Sequence, residues 1–145
     1  MAVIRNRCFG GCVDEGAVAV AALYHDAPEI LTGDLPTPIK YYNPQIRDSY
    51  KQVEYVAEDK LLRMLPRELQ GDYEEVLRPS DEQVKAADKL SAHIKCLEEL
   101  KAGNGEFRAA AEQTRAALDK MDLPELKYFC ENFLGSFALT LDEME

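Results

Sequence analysis

Alternation of apolar and polar residues, as a half-buried strand needs, is nearly absent from this chain, whereas helix starts and stops follow one another from Asp14 to Gly135. That pattern confines the chain to all-α architectures. The first clear helix is expected from about Asp14, a good N-cap, to about Leu31, with Gly33 as its stop. Its centre, Ala17-Val18-Ala19-Val20-Ala21-Ala22-Leu23-Tyr24, is the most apolar part of the chain and suits a helix buried on most sides. Pro28 interrupts the pattern. Proline has no N–H, so the Tyr24 carbonyl is expected to lose its intrahelical partner. A kink or break should fall just after His25-Asp26.

Further elements follow at short intervals. Asp34-Leu35-Pro36-Thr37-Pro38 is a stiff, extended loop, because each proline restricts itself and the residue before it. Asn43 can cap a helix with Pro44 in its first position, running to about Met64. Leu65-Pro66 breaks it, and a shorter helix covers roughly Arg67 to Leu77. Ser80 with Gln83 makes a capping box for a helix from Asp81 to about Ala102, closed by Gly103. The last two helices are expected near Glu106–Met121 and Pro124–Leu134, the latter ending at Gly135. With 145 residues, no repeats and no low-complexity linker, the expectation is a single helical domain over 1–145. Ala2-Val3-Ile4-Arg5-Asn6-Arg7 reads as the last turn of a helix, with basic residues suited to a C-terminus and no capping residue before it. The expectation is that the chain begins inside an element and is N-terminally truncated.

Charge narrows the function. There are 27 acidic against 17 basic residues, a net charge of −10. Such a chain lacks the sequence-independent attraction that dominates binding to polymeric nucleic acid. A small anion stays open if something local supplies positive charge. No apolar run approaches a membrane span and no secretory signal is present, so no membrane partner is expected. Cys8, Cys12, Cys96 and Cys130 form no CxxC pair, and the only histidines are His25 and His93. A structural zinc site is therefore not expected. The cysteines read as reduced thiols in the cytoplasm.

Three acidic places stand apart from the solvated-face acids. His25 and Asp26 follow directly on the most apolar helix. Adjacent helical residues sit about 100° apart, yet an imidazole and a short carboxylate there can converge on one ion. Glu29 lies four positions after His25 and three after Asp26, on their face. The plainer alternative is a half-buried histidine beside an N-terminal carboxylate of the next helix. Asp88 falls at the edge of a stripe formed by Val84, Ala87, Ser91 and Ile94. That stripe is expected to face inward, so Asp88 at its edge needs a partner, either a metal ion or a basic residue on a neighbouring helix. Asp34 heads the stiff loop, with Lys40 six residues on; it is either functional or an Asx-type turn. His93, five residues from Asp88, reads as a surface or interhelix residue, and Tyr41-Tyr42 as packing.

The string Tyr24-His25-Asp26-Ala27-Pro28-Glu29-Ile30-Leu31-Thr32-Gly33-Asp34-Leu35-Pro36-Thr37-Pro38-Ile39-Lys40 closely resembles the signature of the bacterial HD-domain 5'-deoxynucleotidases. Ala87-Asp88-Lys89-Leu90-Ser91-Ala92, Ile94 to Leu100 and the tail around Phe133 to Glu143 resemble the same family. The resemblance implies an HD-domain helical bundle holding one divalent metal cation, with cobalt, manganese or a similar ion as candidates. By it, His25, Asp26 and Asp88 are metal ligands, Glu29 and Asp34 are catalytic acids, and Asp34, Leu35, Pro36 and Thr37 contact the nucleotide. Lys40 is expected beside its phosphate. The family's upstream metal histidine and its substrate-reading arginine-aromatic pair have no counterpart in these residues.

The resulting expectation is a metal-dependent phosphohydrolase. It hydrolyses deoxyribonucleoside 5'-monophosphates to deoxynucleoside and phosphate, in the cytoplasm, as a homodimer by family likeness. The competing expectation is a truncated or degenerate HD-domain protein that binds nucleotide or partners without catalysis.

Overall fold

A computed structural model describes residues 1–35, 43–79 and 81–143. Among these residues there are helices, 3-10 turns and no strand. The helices are α1 (Ala2–Phe9), α2 (Glu15–Tyr24), α3 (Glu29–Thr32), α4 (Pro44–Arg63), α5 (Arg67–Leu77), α6 (Glu82–Lys101), α7 (Arg108–Leu118) and α8 (Pro124–Asn132). The all-α expectation holds. No helix among the described residues is long and apolar enough to cross a membrane.

Most helix ends lie where local chemistry puts them. The Ala17 N–H donates to Asp14 Oδ1 at 2.9 Å, and the Ile46 N–H donates to Asn43 Oδ1 at 2.8 Å. Each oxygen satisfies a first-turn amide that has no intrahelical acceptor. One cap differs from expectation. Asp81, rather than Ser80, caps α6, its Oδ1 accepting from the Gln83 N–H at 2.7 Å. Ser80 lies outside the described residues. Near the C-terminus the helices are shorter than their periodicity implies. Gly105–Phe107 forms a 3-10 turn before α7, and Leu134–Ala138 a second one after α8. Ala2–Phe9 is helical through Phe9, with Gly10 ending it at φ 65°.

The chain forms two compact units, Met1–Val18 with Asp81–Glu145, and Ala19–Ser80. In the first, Ala86 and Leu90 from α6 meet Leu118 from α7, Leu126 from α8 and Leu134, all buried. Ile94, Leu97, Phe129 and Phe137 pack around them. Burying each leucine stabilises the fold by roughly 1.5–3 kcal/mol. α1 lies against α8, where the Phe9 and Tyr128 rings meet edge to face at 6.1 Å. There Arg5 Nη1 stands 3.7 Å from Oε2 of the buried Glu125, a charge that burial without a partner would make costly.

The second unit is held more by side-chain clamps than by a thick core. Ala57, Leu62 and Leu77 are buried in it. Arg78, just past α5, pairs with Glu58 of α4 at 2.7 Å and with Glu74 at 2.7 Å. Its guanidinium also lies 4.3 Å from the centroid of the Tyr55 ring. The Tyr24 and Tyr73 rings meet edge to face at 5.7 Å, joining the end of α2 to α5.

Two packing expectations are corrected. α2 contains no buried residue, and Leu23 is 80% exposed. Alanine is the strongest helix former, so an alanine-rich run folds as helix without needing burial on most sides. On α6 the buried residues are Gln83, Val84, Ala86, Leu90, His93 and Cys96. This face meets α7 and the Leu134–Ala138 turn. Of the stripe through Val84, Ala87, Ser91 and Ile94, Val84 is buried and Ile94 packs beside the core, whereas Ala87 is half-buried and Ser91 exposed, so the inward face is centred one row over. Asp88 is exposed as well, and burial therefore creates no demand for a partner there.

His93 is an interhelix residue, 4% exposed. Thr114 of α7 gives its hydroxyl proton to the Ala110 carbonyl at 2.8 Å, so the His93 Nδ1–H donates to Thr114 Oγ1 at 2.9 Å. Burial is the largest influence on this imidazole and lowers its pKa from the ordinary 6.5; the nearby Arg115 acts in the same direction. The unfolded chain binds a proton on His93 more readily than the folded chain. This contribution to stability is thus present above pH 6.5 and is lost as pH falls through the lower folded value. Urea unfolding at pH 7 and pH 5 should show a drop in midpoint for the native chain. The drop should be smaller in His93→Gln; an equal drop in both would refute the assignment.

Candidate active site

The break after α2 builds the site's geometry. Beyond Tyr24, successive short bonds replace the α-helical ladder. The Ala27 N–H donates to the Tyr24 carbonyl at 2.9 Å, and the Glu29 N–H to the Asp26 carbonyl at 2.9 Å. The Tyr24 carbonyl was expected to lose its partner to Pro28; the tighter turn supplies one three residues on. α3 then begins at Glu29.

At this helix end His25 Nδ1 lies 2.7 Å from the Ala22 carbonyl oxygen. A carbonyl only accepts, so Nδ1 carries the proton. In the neutral ring the lone pair is then on Nε2, which stands 3.1 Å from Asp26 Oδ1. Imidazole nitrogen and carboxylate oxygen are donors suited to a borderline or hard divalent cation. A backbone carbonyl holding the opposite ring nitrogen is the usual support for a metal-ligating histidine. His25 and Asp26 therefore fit the group expected of them. The imidazole is about a quarter exposed and the carboxylate more than half, while the Nε2 atom itself is buried.

Glu29 is half-buried at the start of α3. Gly33 ends that helix with φ 70° and ψ 159°, a conformation that side chains other than glycine's strain to adopt. Its N–H donates to the Glu29 carbonyl at 2.8 Å. Asp34 follows, exposed, and Leu35 is half-buried. Leu35 lines an open apolar groove of about 350 Å³ with Ile46, Ser49, Tyr50 and Val53 of α4. Pro36, Thr37, Lys40, Tyr41 and Tyr42 lie outside the described residues, and so do the roles expected of them. Asp88 stands on α6, in the other compact unit, with its carboxylate exposed. Tyr50 is the residue that sequence reasoning missed: its hydroxyl donates to the Gly33 carbonyl at 2.9 Å across 17 positions. No local spacing pattern marks such a contact.

A helical chain with a convergent His-Asp pair at a helix break is the setting of an HD-type phosphohydrolase. Residues 1–137 match the family model described as 5'-deoxynucleotidase YfbR-like. The chain is 49% identical over 150 aligned positions to a 5'-deoxynucleotidase of Vibrio vulnificus, the match covering 99% of this chain and 77% of that protein. A 5'-deoxynucleotidase of Photorhabdus laumondii is 47% identical, with 99% of this chain and 76% of that protein covered. One of Yersinia pestis is 49% identical with the same coverage as the Photorhabdus protein. The chain belongs to the YfbR-like 5'-deoxynucleotidase family.

The ring assignment is directly measurable. In metal-free protein at pH 8, nitrogen-detected NMR should show His25 as the Nδ1–H tautomer. Titration with Zn2+, a diamagnetic probe, should move the Nε2 resonance and leave Nδ1 protonated. A tautomer protonated at Nε2 would contradict the geometry.

Proposed function

We propose that this chain hydrolyses deoxyribonucleoside 5'-monophosphates to deoxynucleoside and phosphate. The observation that carries the reading is the near-50% identity, over almost the whole chain, to proteins named 5'-deoxynucleotidases. The His25–Asp26 geometry supports it as well, since an imidazole nitrogen and a carboxylate oxygen side by side are donors suited to a divalent cation. On this reading His25, Asp26 and Asp88 hold a divalent cation, with cobalt or manganese as the first ions to try. That cation would supply positive charge against the phosphate and lower the pKa of water.

The remaining chemistry belongs to the chain's carboxylates. Hydrolysis joins a water oxygen to phosphorus and breaks the bond from phosphorus to the sugar 5'-oxygen. One carboxylate takes the proton that the water sheds, and one acid protonates the departing oxygen. Glu29 and Asp34 are assigned to these two tasks as a pair. Asp34, Leu35, Pro36 and Thr37 contact the nucleotide, and Lys40 faces its phosphate. Those assignments rest on the family string. A net charge of −10 makes a local cation necessary for a substrate that is itself anionic. All four cysteines are free, in keeping with a cytoplasmic enzyme, and a second copy of the chain is its proposed partner.

Phosphate release from a panel of deoxynucleoside and ribonucleoside mono- and triphosphates, with added Co2+ or Mn2+, tests the reading. Deoxynucleoside monophosphates should be the preferred substrates. His25→Ala and Asp26→Ala should each lower turnover by at least about 100-fold, because both remove a ligand rather than merely its support. Undiminished turnover in both variants would overturn the metal assignment. Glu29→Gln should lower kcat by about 10²- to 10⁴-fold, as removal of an acid-base group does. Its Mn2+ affinity by calorimetry should stay unchanged.

A further inference from the structure

Gly33 and Tyr50 lie 17 residues apart, yet their contact controls how the chain leaves α3. The Gly33 carbonyl accepts two hydroxyls: Thr32 Oγ1 at 3.0 Å and Tyr50 Oη at 2.9 Å. One comes from the same turn, the other from α4. A carbonyl oxygen has two lone pairs, and both are used. The plane of the peptide joining Gly33 to Asp34 is thereby fixed.

This matters because Gly33 is the residue best able to rotate. Its φ of 70° lies in the left-handed region, and among the described residues no atom beyond its chain neighbours comes within 4 Å of the place where a Cβ would be. Sterics alone therefore do not hold the chain at this point. The next residue is Asp34, the acid that heads the loop. One residue further, Leu35 shares its apolar groove with Ile46, Ser49, Tyr50 and Val53 of α4. α4 thus holds the start of the loop twice, by a hydrogen bond at Gly33 and by apolar contact at Leu35. The two holds converge on Tyr50, which takes part in both. α3 and α4 pack against each other, so the tether joins elements that already share a surface.

We infer that Tyr50 is a positioning residue: its hydroxyl, by clamping the Gly33 carbonyl, sets the direction in which Asp34 is presented to the substrate. The inference deepens the proposed phosphomonoesterase and rests on it for the part that concerns turnover. The effect of Tyr50 passes through the peptide that precedes Asp34.

Tyr50→Phe is the test, since it removes one oxygen and keeps the ring in the groove. On a deoxynucleoside monophosphate with saturating Mn2+, kcat/KM should fall about 3- to 10-fold, the range expected from losing a single neutral hydrogen bond. Mn2+ affinity, measured by calorimetry, should change by less than about twofold, because the His25–Asp26 pair is left alone. A merely structural role would weaken metal binding and turnover together, and that result would overturn the inference. Unchanged kcat/KM would overturn it too. Backbone NMR supplies a readout that needs no activity. In Tyr50→Phe the Asp34 and Leu35 amide resonances should shift and their hydrogen exchange should quicken, whereas those of α6 stay in place. If the native chain releases no phosphate, the enzymatic reading fails, and the amide signals still decide the tether. Unmoved Asp34 and Leu35 amides would show that Tyr50 does not set this peptide.

Discussion

The missing N–H of Pro28 is the constraint on which the site depends. A proline in a helix interior costs about 3 kcal/mol or more, so α2 cannot continue past it. The chain responds by ending α2 at Tyr24 and closing successive tight turns before α3 begins at Glu29. Carbonyls in the last turn of a helix lack their usual amide partners. The Ala22 carbonyl lies in that last turn, and the His25 imidazole reaches it. One bond therefore serves two ends: it satisfies a helix-terminal acceptor and it fixes which ring nitrogen bears the proton. The Nε2 atom is thereby set against Asp26. Continuous helix through this point would have spread His25 and Asp26 around the cylinder, about 100° apart.

Much of this was legible in the residues. Pro28 announced the break, Asn43-Pro44 the start of α4, and Leu65-Pro66 its end. These signals are local: a missing donor, a capping oxygen or a fixed φ acts within one turn, and no distant partner has to be known. The spacing of His25, Asp26 and Glu29 was compatible with a cation site and equally with a half-buried histidine beside a carboxylate. The family likeness then supplied what spacing does not, a substrate class and a role for the loop after Gly33.

The readings that failed were about packing, which is set by neighbours far away in sequence. Val84, Ala87, Ser91 and Ile94 have helical spacing, but so do Gln83, Ala86, Leu90 and His93; all four of the second row are buried, whereas of the first only Val84 is. Two rows of similar spacing on an alanine-containing helix differ only in what packs against them. The burial argument for Asp88 fell with that first row, since Asp88 is exposed. α2 failed in the same way. Alanine raises both mean apolarity and helix propensity, so its abundance was read as burial when propensity suffices. Asp81 serves as the α6 cap, one position from the serine that the spacing favoured, and both are good capping residue types.

Two levels of support for one small region follow from these contacts. Pro28 and the Ala22 carbonyl fix His25 and Asp26 by means contained within about six residues. Asp34 is fixed by something different. Gly33 gives the chain freedom to turn out of α3, and that freedom must be removed again if a carboxylate is to be held in one direction. Packing does not remove it, since the space around Gly33 is open. Two hydroxyls on a single carbonyl do, and one of them comes from a separate helix. The His25–Asp26 pair is thus built from local sequence and should survive many changes elsewhere. The loop acid instead depends on α4 keeping its register against α3. A substitution that slides α4 along α3 would leave His25 and Asp26 able to hold a cation while misdirecting Asp34. Metal affinity and turnover should accordingly be separable properties of this chain.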